Sequence, residues 1–323
     1  MTMIDTIQVL ALDGGGFRGL SQAIILAEME KRTGRRTADC FDIITGTSTG
    51  GILALALGKG IPAQKIVDFY IDDGKSIFAT THAGRFVRWV KWWVCSKHSA
   101  LHLRKALRSC LGEDTLLGDS LTRLVIPSFE LGLRKPYLFK TDHDPKYDTD
   151  WTRKMWEIAM ATSAAPTYFP YYKSSWGNYY ADGGLWANNP SVTGAVEAVK
   201  IMGYPPESMK ILNLGNGCSD LTYGKPSWAK KLGVAGWAKD IPELLMDASA
   251  VSVASTSQLL WGDRFLRIEP KLTNRLCPLD RYEPDALRSH AEEAVRLNSE
   301  ALRAFFNHNA APYPKMRRHN SNI

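Results

Sequence analysis

A Gly-Thr-Ser-Thr-Gly turn constrains the fold of this chain more than any other segment. An apolar run over residues 41–45 precedes the turn and another over residues 51–57 follows it, which predicts a buried strand, a sharp turn and a buried helix. Ser48 at the centre of the turn then projects its hydroxyl beside a helix N-terminus, where unpaired N–H groups stabilise negative charge. Ser48 is therefore a candidate nucleophile, although a Gly- and Thr-rich loop without chemistry remains the alternative for the turn alone. The residues that form this turn around Ser48 are Gly46, Thr47, Thr49 and Gly50.

The rest of the chain alternates between segments typical of strands and segments typical of helices. Further strands are predicted at residues 7–12, 122–126, 136–139, 211–214 and 265–268, and further helices at 20–32, 66–70, 156–162, 192–202, 241–260 and 284–306. This alternation predicts an α/β fold, a single three-layer domain with a mostly parallel central sheet and helices on both faces. We assign residues 1–310 to this domain and residues 311–323 to a basic, polar C-terminal tail that frays.

Composition narrows the class of protein. The 323 residues are 45% hydrophobic and 23% charged, which is typical of a globular protein. No uncharged apolar run approaches the ~18–20 residues of a membrane span, and the first residues lack the basic start of a signal peptide. The five cysteines are scattered without a C-x-x-C pair, so we expect reduced thiols and a cytoplasmic protein. The net charge of +7 favours anionic partners such as phospholipid surfaces or nucleotides, and we expect no DNA or RNA partner.

A glycine-rich loop follows the first predicted strand. Glycines allow backbone N–H groups to approach an oxygen closely, and the next helix adds positive potential, so the loop suits a phosphate or a developing oxyanion. Its spacing matches neither a dinucleotide-binding fingerprint nor a phosphate loop, and a tight strand-to-helix turn is the alternative. With a serine elbow on a neighbouring strand, an oxyanion hole is the better interpretation. The loop consists of Gly14, Gly15, Gly16, Phe17, Arg18 and Gly19.

Asp182 is the candidate general base for Ser48. None of the seven histidines occupies the loop position after a strand that a Ser-His-Asp triad requires. Asp182 follows two tyrosines and precedes Gly183 and Gly184, which leave its carboxylate uncrowded. Burial beside aromatic rings raises a carboxylate pKa above its usual value of roughly 3.9 and makes it a stronger base. A simple Asp-Gly-Gly turn is the alternative for this segment alone.

Together these segments resemble the patatin-like phospholipases along nearly the whole chain. The resemblance rests on the glycine-rich loop, the serine elbow and Asp182-Gly183-Gly184, with further blocks at residues 161–170 and 188–190. It implies a lipid acyl hydrolase with a Ser–Asp dyad, no histidine, no catalytic calcium and no other cofactor. One departure is Leu-Asn-Leu-Gly-Asn-Gly at residues 212–217, where the family usually reads Ser-Leu-Gly-Thr-Gly. That block is structural in the family, so we expect catalysis to survive the change.

The resemblance also suggests how such an enzyme is used. Some short bacterial patatin-like proteins similar to this chain degrade membranes in anti-phage defence when a cyclic dinucleotide activates them. We therefore expect a regulated phospholipase that acts peripherally at the inner face of the membrane, with a cyclic dinucleotide as activator. The alternatives are a constitutive housekeeping lipid acyl hydrolase and a catalytically silent lipid- or ligand-binding protein. The sequence leaves the oligomeric state open, a homo-oligomer included.

A tryptophan-rich segment at residues 85–94 is the candidate membrane contact. At 100° per residue, five of its apolar side chains share one helical face and its basic side chains flank the other. The five are Phe86, Trp89, Val90, Trp93 and Val94. Basic residues beside tryptophans suit an anionic interface, whereas a helix packed on the core is the alternative. The candidate contact residues are Arg85, Phe86, Arg88, Trp89, Lys91, Trp92 and Trp93.

Overall fold

The computed structural model describes residues 6–78, 96–217 and 241–316. Eight strands form one sheet, in the order β5-β6-β3-β2-β1-β7-β8, with β4 also paired to β3. The strands β1, β2, β3, β7 and β8 are parallel, whereas β4, β5 and β6 run antiparallel to their neighbours. Their bounds are Ile7–Leu12 (β1), Ile43–Gly46 (β2), Arg123–Glu130 (β3), Lys135–Lys140 (β4), Tyr172–Lys173 (β5), Tyr179–Asp182 (β6), Met209–Leu214 (β7) and Phe265–Ile268 (β8).

Helices cover both faces of this sheet. The longest, at Ile241–Trp261, packs over the short helix that follows β6. The helix bounds within the described residues are Gly19–Thr33 (α1), Thr37–Cys40 (α2), Thr49–Gly58 (α3), Ala63–Asp72 (α4), Gly74–Phe78 (α5), Ala100–Leu111 (α6), Met155–Thr162 (α7), Gly184–Ala187 (α8), Ser191–Val196 (α9), Ile241–Trp261 (α10), Pro284–Leu297 (α11) and Ser299–Phe306 (α12).

Alternation along the central strand β1 explains the layers. Its side chains point to opposite faces in turn, so Leu10 and Leu12 join a core with α1, α3 and α4. Val9 and Ala11 join a second core on the other face, which includes Ala195 of α9. The strand β1 is buried throughout, as parallel strands in three-layer folds are. The predicted fold class is confirmed.

The structure differs from the predicted elements at several places, of which three matter most. The strand β6, which ends at Asp182, was not predicted, because its four residues are too few to show a period. The helix α6 was also not predicted, and the predicted helix at 284–306 is interrupted at Asn298. In each case, packing against neighbouring segments determines the type and the ends of the element, because the apolar pattern is too short or too continuous to define them.

Three further expectations concern the tail, the cysteines and the membrane. Residues 311–316 of the predicted tail are held to the body and do not fray, since Arg123 donates to the carbonyl of Pro312 (2.6 Å) and the Met316 N–H to that of Asp142 (3.2 Å).

The expectation of reduced thiols is wrong at Cys277, which is disulfide-bonded. Scattered cysteines carry no spacing signal, and only the tertiary fold decides which of them meet. Within the described residues, every helix is too short or too polar to cross a membrane.

Candidate active site

The site lies where neighbouring parallel strands end. Leu12 of β1 pairs with Gly46 of β2, so the glycine-rich loop and the serine elbow leave the sheet side by side. Ligand sites of open α/β sheets are found at this carboxyl edge, in the loops beyond the strands. The adjacency of the two segments therefore follows from their strand order.

Ser48 has a strained backbone that the surrounding residues hold in place. Its φ of 55° and ψ of −121° lie in a region that non-glycine residues rarely adopt. The Ser48 N–H donates to the Thr162 hydroxyl (3.0 Å), which in turn donates to the carbonyl of Pro127 (2.6 Å). The two flanking turn threonines are also bonded, Thr47 to the Ala187 carbonyl and Thr49 to the Tyr70 hydroxyl. The turn is thus tied to β3, α4, α7 and α8 at once.

The elbow also depends on two glycines for space. A Cβ on Gly46 would lie 2.1 Å from the carbonyl oxygen of Gly50. A Cβ on Gly50 would lie 2.2 Å from the carbonyl oxygen of Leu12 in β1. Both distances are far inside van der Waals contact and involve backbone, which has little room to move. The glycines therefore allow strand and helix to meet closely enough to present Ser48.

Asp182 lies at the end of β6 and is fully buried. Burial raises the pKa of its carboxyl from 3.8 to about 7, while the Gly184 N–H (2.7 Å to Oδ1) and the Ser48 hydroxyl lower the pKa by smaller amounts. The Ser48 hydroxyl is near enough to stabilise the carboxylate, yet Oδ2 has no partner with hydrogen-bond geometry in the described structure. Such contacts are often long without substrate. Gly183 continues the turn and donates to the Thr162 carbonyl (3.3 Å).

Three of the described histidines bond to carboxylates other than Asp182. His98 contacts Asp280 (3.0 Å), His143 contacts Glu197 (2.8 Å) and His308 contacts Asp42 (2.9 Å). These pairs are part of the packing between distant segments of the chain. Asp182 is thus the titratable group that the structure brings to Ser48.

The glycine-rich loop has two backbone donors left for an oxyanion. The Gly14 N–H donates to the Asn188 carbonyl (2.9 Å), and the Phe17 N–H donates to the Leu279 carbonyl (2.7 Å). The Arg18 N–H donates to the Gly15 carbonyl, and the Gly19 N–H lies within the same short helical turn. For the N–H groups of Gly15 and Gly16, we find no acceptor within the described part of the chain. These two are the candidate donors to an oxyanion.

Side chains fix the shape of this loop. Gly16 has a φ of +58°, which favours glycine, and Arg18 is buried with its Nε donating to the Gly15 carbonyl (3.1 Å). Phe17 points away from the loop and packs on the rings of Tyr70, Phe78 and Tyr282. Arg18 therefore orients the loop through its contact with the Gly15 carbonyl.

A buried ionic cluster lies beneath the loop. The Arg267 guanidinium donates to Asp13 Oδ2 (2.7 Å), and Asn213 donates to Asp13 Oδ1 (2.7 Å). Burial raises the pKa of Asp13 to about 6, although Arg267 opposes this rise. Asn216 donates from Nδ2 to the Gly14 carbonyl (2.6 Å). The block at residues 212–217 thus supports the site, and its two asparagines make the contacts.

An apolar cavity opens beside Ser48. Its lining includes Ile52, Phe69, Phe169, Met246 and Leu279. Its volume is about 40 Å³, whereas small-molecule sites commonly offer roughly 300–1,000 Å³. The chemistry of the lining suits an acyl chain, but the cavity must widen before such a chain enters.

Several residues with contacts in the site had no individual role in the sequence interpretation, among them Thr162, Asn188, Asn216 and Leu279. Thr162 and Asn188 lie in the blocks at 161–170 and 188–190, so the sequence signal for them was present. Asn216 lies in the block at residues 212–217, which departs from the family pattern. Leu279, whose carbonyl accepts the Phe17 N–H, belongs to no motif in the sequence. The predicted membrane-contact segment, residues 85–94, lies outside the described residues. No cluster of three His, Cys, Asp or Glu side chains in the described ranges is placed to hold a metal ion.

Comparison with known proteins places this geometry in a family. Residues 10–192 match the patatin-like phospholipases. A protein of Pseudomonas aeruginosa named cGAMP-activated phospholipase is 33% identical over 274 residues, which cover 84% of this chain and 81% of the relative. A protein of the same name from Vibrio cholerae is 38% identical over 247 residues, which cover 71% of this chain and 70% of the relative.

A solved structure supports the fold alone. The crystal structure of VipD from Legionella pneumophila aligns with 93% of this chain and 67% of its own, with a TM-score of 0.50 and 14% identity. The matched segment, residues 10–192, contains both Ser48 and Asp182 and spans more than half of the chain. The chain therefore belongs to the patatin-like phospholipases and is a lipid acyl hydrolase.

Proposed function

We propose that Ser48 and Asp182 act as a catalytic dyad that cleaves fatty-acyl esters of membrane phospholipids. The observation that carries the proposal is a fully buried carboxylate, with its pKa raised to about 7, beside a serine on a strained elbow. A carboxyl group with this pKa is a far better base than a solvated one and is largely ionised just above neutral pH.

The reaction follows in two halves. Ser48 Oγ attacks the ester carbonyl carbon while Asp182 accepts its proton, and the oxyanion accepts hydrogen bonds from the N–H groups of Gly15 and Gly16. The carbon–oxygen bond to the glycerol breaks, the leaving alcohol takes the proton from Asp182, and an acyl-Ser48 ester remains. Water then attacks this ester with Asp182 again as base, the bond to Oγ breaks, and the fatty acid leaves.

The pH dependence of the reaction tests the role of Asp182. Since only the ionised carboxylate accepts the serine proton, activity must rise as pH rises through the folded-state pKa. We expect kcat/KM to increase about tenfold per pH unit below pH 6 and to level off above pH 8, with an apparent pKa of about 7. Initial rates on a soluble ester between pH 5 and 9 measure this profile. A profile that levels off already at pH 5 would contradict the raised pKa on which the assignment of Asp182 as the base rests.

We further propose that a cyclic dinucleotide switches the enzyme on. Two observations support regulation: the relatives from Pseudomonas aeruginosa and Vibrio cholerae are named cGAMP-activated, and the cavity beside Ser48 is only about 40 Å³. A resting site this narrow excludes an acyl chain. The site widens when a segment of its wall moves, either α10, which contributes Met246, or a neighbouring segment. The activated enzyme then works from the cytoplasm at the inner face of the membrane, as an effector of anti-phage defence.

Vesicle hydrolysis with and without ligand tests this regulation. Without ligand we expect little release of fatty acid from phosphatidylglycerol–phosphatidylethanolamine vesicles, and with cGAMP an increase of at least about tenfold, since differential binding of this size is common for effectors. Ser48→Ala with cGAMP is the matched control and should release none. Equal rates with and without cGAMP would identify a constitutive lipase, and no release under either condition would identify a silent binding protein.

A further inference from the structure

Asn188 has a buried side chain with no bonding role of its own in the described structure. The residue is fully buried, and neither its Oδ1 nor its Nδ2 has a hydrogen-bond partner among the described residues. A buried carboxamide without hydrogen bonds destabilises the folded state, and buried polar groups in folded proteins nearly always have a hydrogen-bond partner. Its backbone, by contrast, is bonded: the carbonyl accepts the Gly14 N–H (2.9 Å) and the N–H donates to Ser249 Oγ (3.4 Å). The main chain thus fixes Asn188, and the side chain is available to a ligand.

The carboxamide lies between the nucleophile and the base. A Cβ placed on Gly14 would lie 2.3 Å from Asn188 Oδ1 and 3.3 Å from Ser48 Cβ. A Cβ placed on Gly184 would lie 3.0 Å from Asn188 Oδ1 and 3.0 Å from Asp182 Oδ1. One amide oxygen is therefore close to both catalytic residues and to the glycine loop.

A third buried atom without a partner belongs to Asp182. Its Oδ2 has no hydrogen bond within the described chain, whereas Oδ1 accepts the Gly184 N–H. Polar atoms that are buried together and unpaired are suited to one small polar molecule with both donors and acceptors, which is water. The proposed reaction requires a water molecule at this position in its second half only.

We propose that the Asn188 carboxamide and Asp182 Oδ2 together bind the water that hydrolyses the acyl-Ser48 ester. This inference rests on the proposed dyad mechanism. One O–H of the water donates to Asp182 Oδ2 and the other to Asn188 Oδ1, which directs an oxygen lone pair toward the acyl carbon. As the new carbon–oxygen bond forms, the first proton moves to Asp182. The carbon–Oγ bond then breaks, Ser48 Oγ takes that proton, and the free fatty acid carries the second.

This assignment separates the two halves of the reaction. Acylation uses no water, so it proceeds without Asn188, whereas deacylation depends on it. When deacylation limits turnover, kcat and KM fall together and kcat/KM, which reports acylation, stays constant. A residue needed for folding or for the oxyanion would instead reduce kcat/KM as well.

Kinetics of Asn188→Ala and Asn188→Leu with p-nitrophenyl butyrate, in the presence of cGAMP, test the proposal. We expect kcat to fall about 10–100-fold with kcat/KM within about threefold of wild type. A burst of p-nitrophenol equal to the enzyme concentration should appear, and intact mass should show butyryl-Ser48. The leucine variant fills the volume of the asparagine, so it keeps the test valid where the alanine variant unfolds.

Two controls distinguish a failure of the proposed role of Asn188 from a failure of the proposed dyad. Asn189→Ala removes the neighbouring buried asparagine, whose side chain is bonded to Asn213 and Ser191, and should lower the melting temperature without a burst. A fluorophosphonate probe should label Ser48 at the wild-type rate in both Asn188 variants. A parallel loss of kcat and kcat/KM without a burst would overturn the role of Asn188. A wild-type Ser48 that resists labelling would instead overturn the proposed dyad.

Discussion

The substitution Asp182→Asn is expected to abolish phospholipid hydrolysis and, at pH 8, to make the folded protein more stable. Activity should fall at least about 10³-fold, because an amide accepts no proton from Ser48. The gain in stability has a separate origin. Burial raises the folded-state pKa of Asp182 from 3.8 to about 7, so at pH 8 the wild type carries an ionised carboxylate that burial disfavours. The asparagine retains Oδ1 as acceptor for Gly184 and carries no charge.

The sign of this effect changes with pH in a defined way. The folded state binds a proton more tightly than the unfolded chain, so the wild type loses stability as pH rises from about 4 to 7. The expected difference between variant and wild type is on the order of 4 kcal/mol at pH 8 and close to zero at pH 4. Urea unfolding at several pH values measures it. Equal unfolding free energies at pH 8 would contradict the buried charge, and the exposed Asp148→Asn should change stability by less than about 0.5 kcal/mol.

The second large effect is expected for Gly50→Ala, which should prevent stable folding. The new Cβ would lie 2.2 Å from the carbonyl oxygen of Leu12 and 2.7 Å from its carbonyl carbon. Relief requires separation of α3 from the central strand β1, and both are buried throughout. We expect a loss beyond the ~1–3 kcal/mol typical of overpacking by a side chain, because the contact is with backbone.

Gly34→Ala is the matched control for this substitution. Gly34 has a φ of +68° at the end of α1, and an added Cβ meets nothing within 4 Å. Its cost is conformational only, roughly 1–2 kcal/mol. Thermal melting of both variants, followed by circular dichroism, compares the steric cost of Gly50→Ala with the conformational cost of Gly34→Ala. A Gly50→Ala protein that melts within a few degrees of Gly34→Ala would show that strand and helix are farther apart than the structure has them.

The sequence predicts the elements that carry a period or a local motif. The strand β1 and the layer arrangement follow from apolar runs alone, and the elbow follows from glycines at two fixed positions around Ser48. The raised pKa of Asp182 was expected from burial, and burial is its cause in the structure. Local sequence patterns in this chain therefore indicate the chemistry of individual segments.

Long-range contacts were beyond the reach of the sequence. No pattern around Asn216 or Leu279 indicates that these residues reach the glycine loop, since each is more than 190 positions away and acts through one amide or one carbonyl. The antiparallel strand β6 is too short to show alternation, so Asp182 was recognised without the element that positions it. The Asn188 side chain has no hydrogen-bond partner among the described residues, and this can be recognised only when every neighbouring atom in the buried space is known.

The contacts around the glycine loop define how much of the chain makes up the catalytic unit. The segment that matches the family ends at residue 192 and includes Ser48, Asp182 and the loop itself. The groups that hold the loop come later: Asn213 and Asn216 on and beyond β7, Arg267 on β8, and the Leu279 carbonyl. A growing polypeptide therefore carries nucleophile and base long before it can shape the oxyanion hole. The ribosome must synthesise the chain through Leu279 before the loop has all of these contacts, so translation products that end earlier lack the finished site.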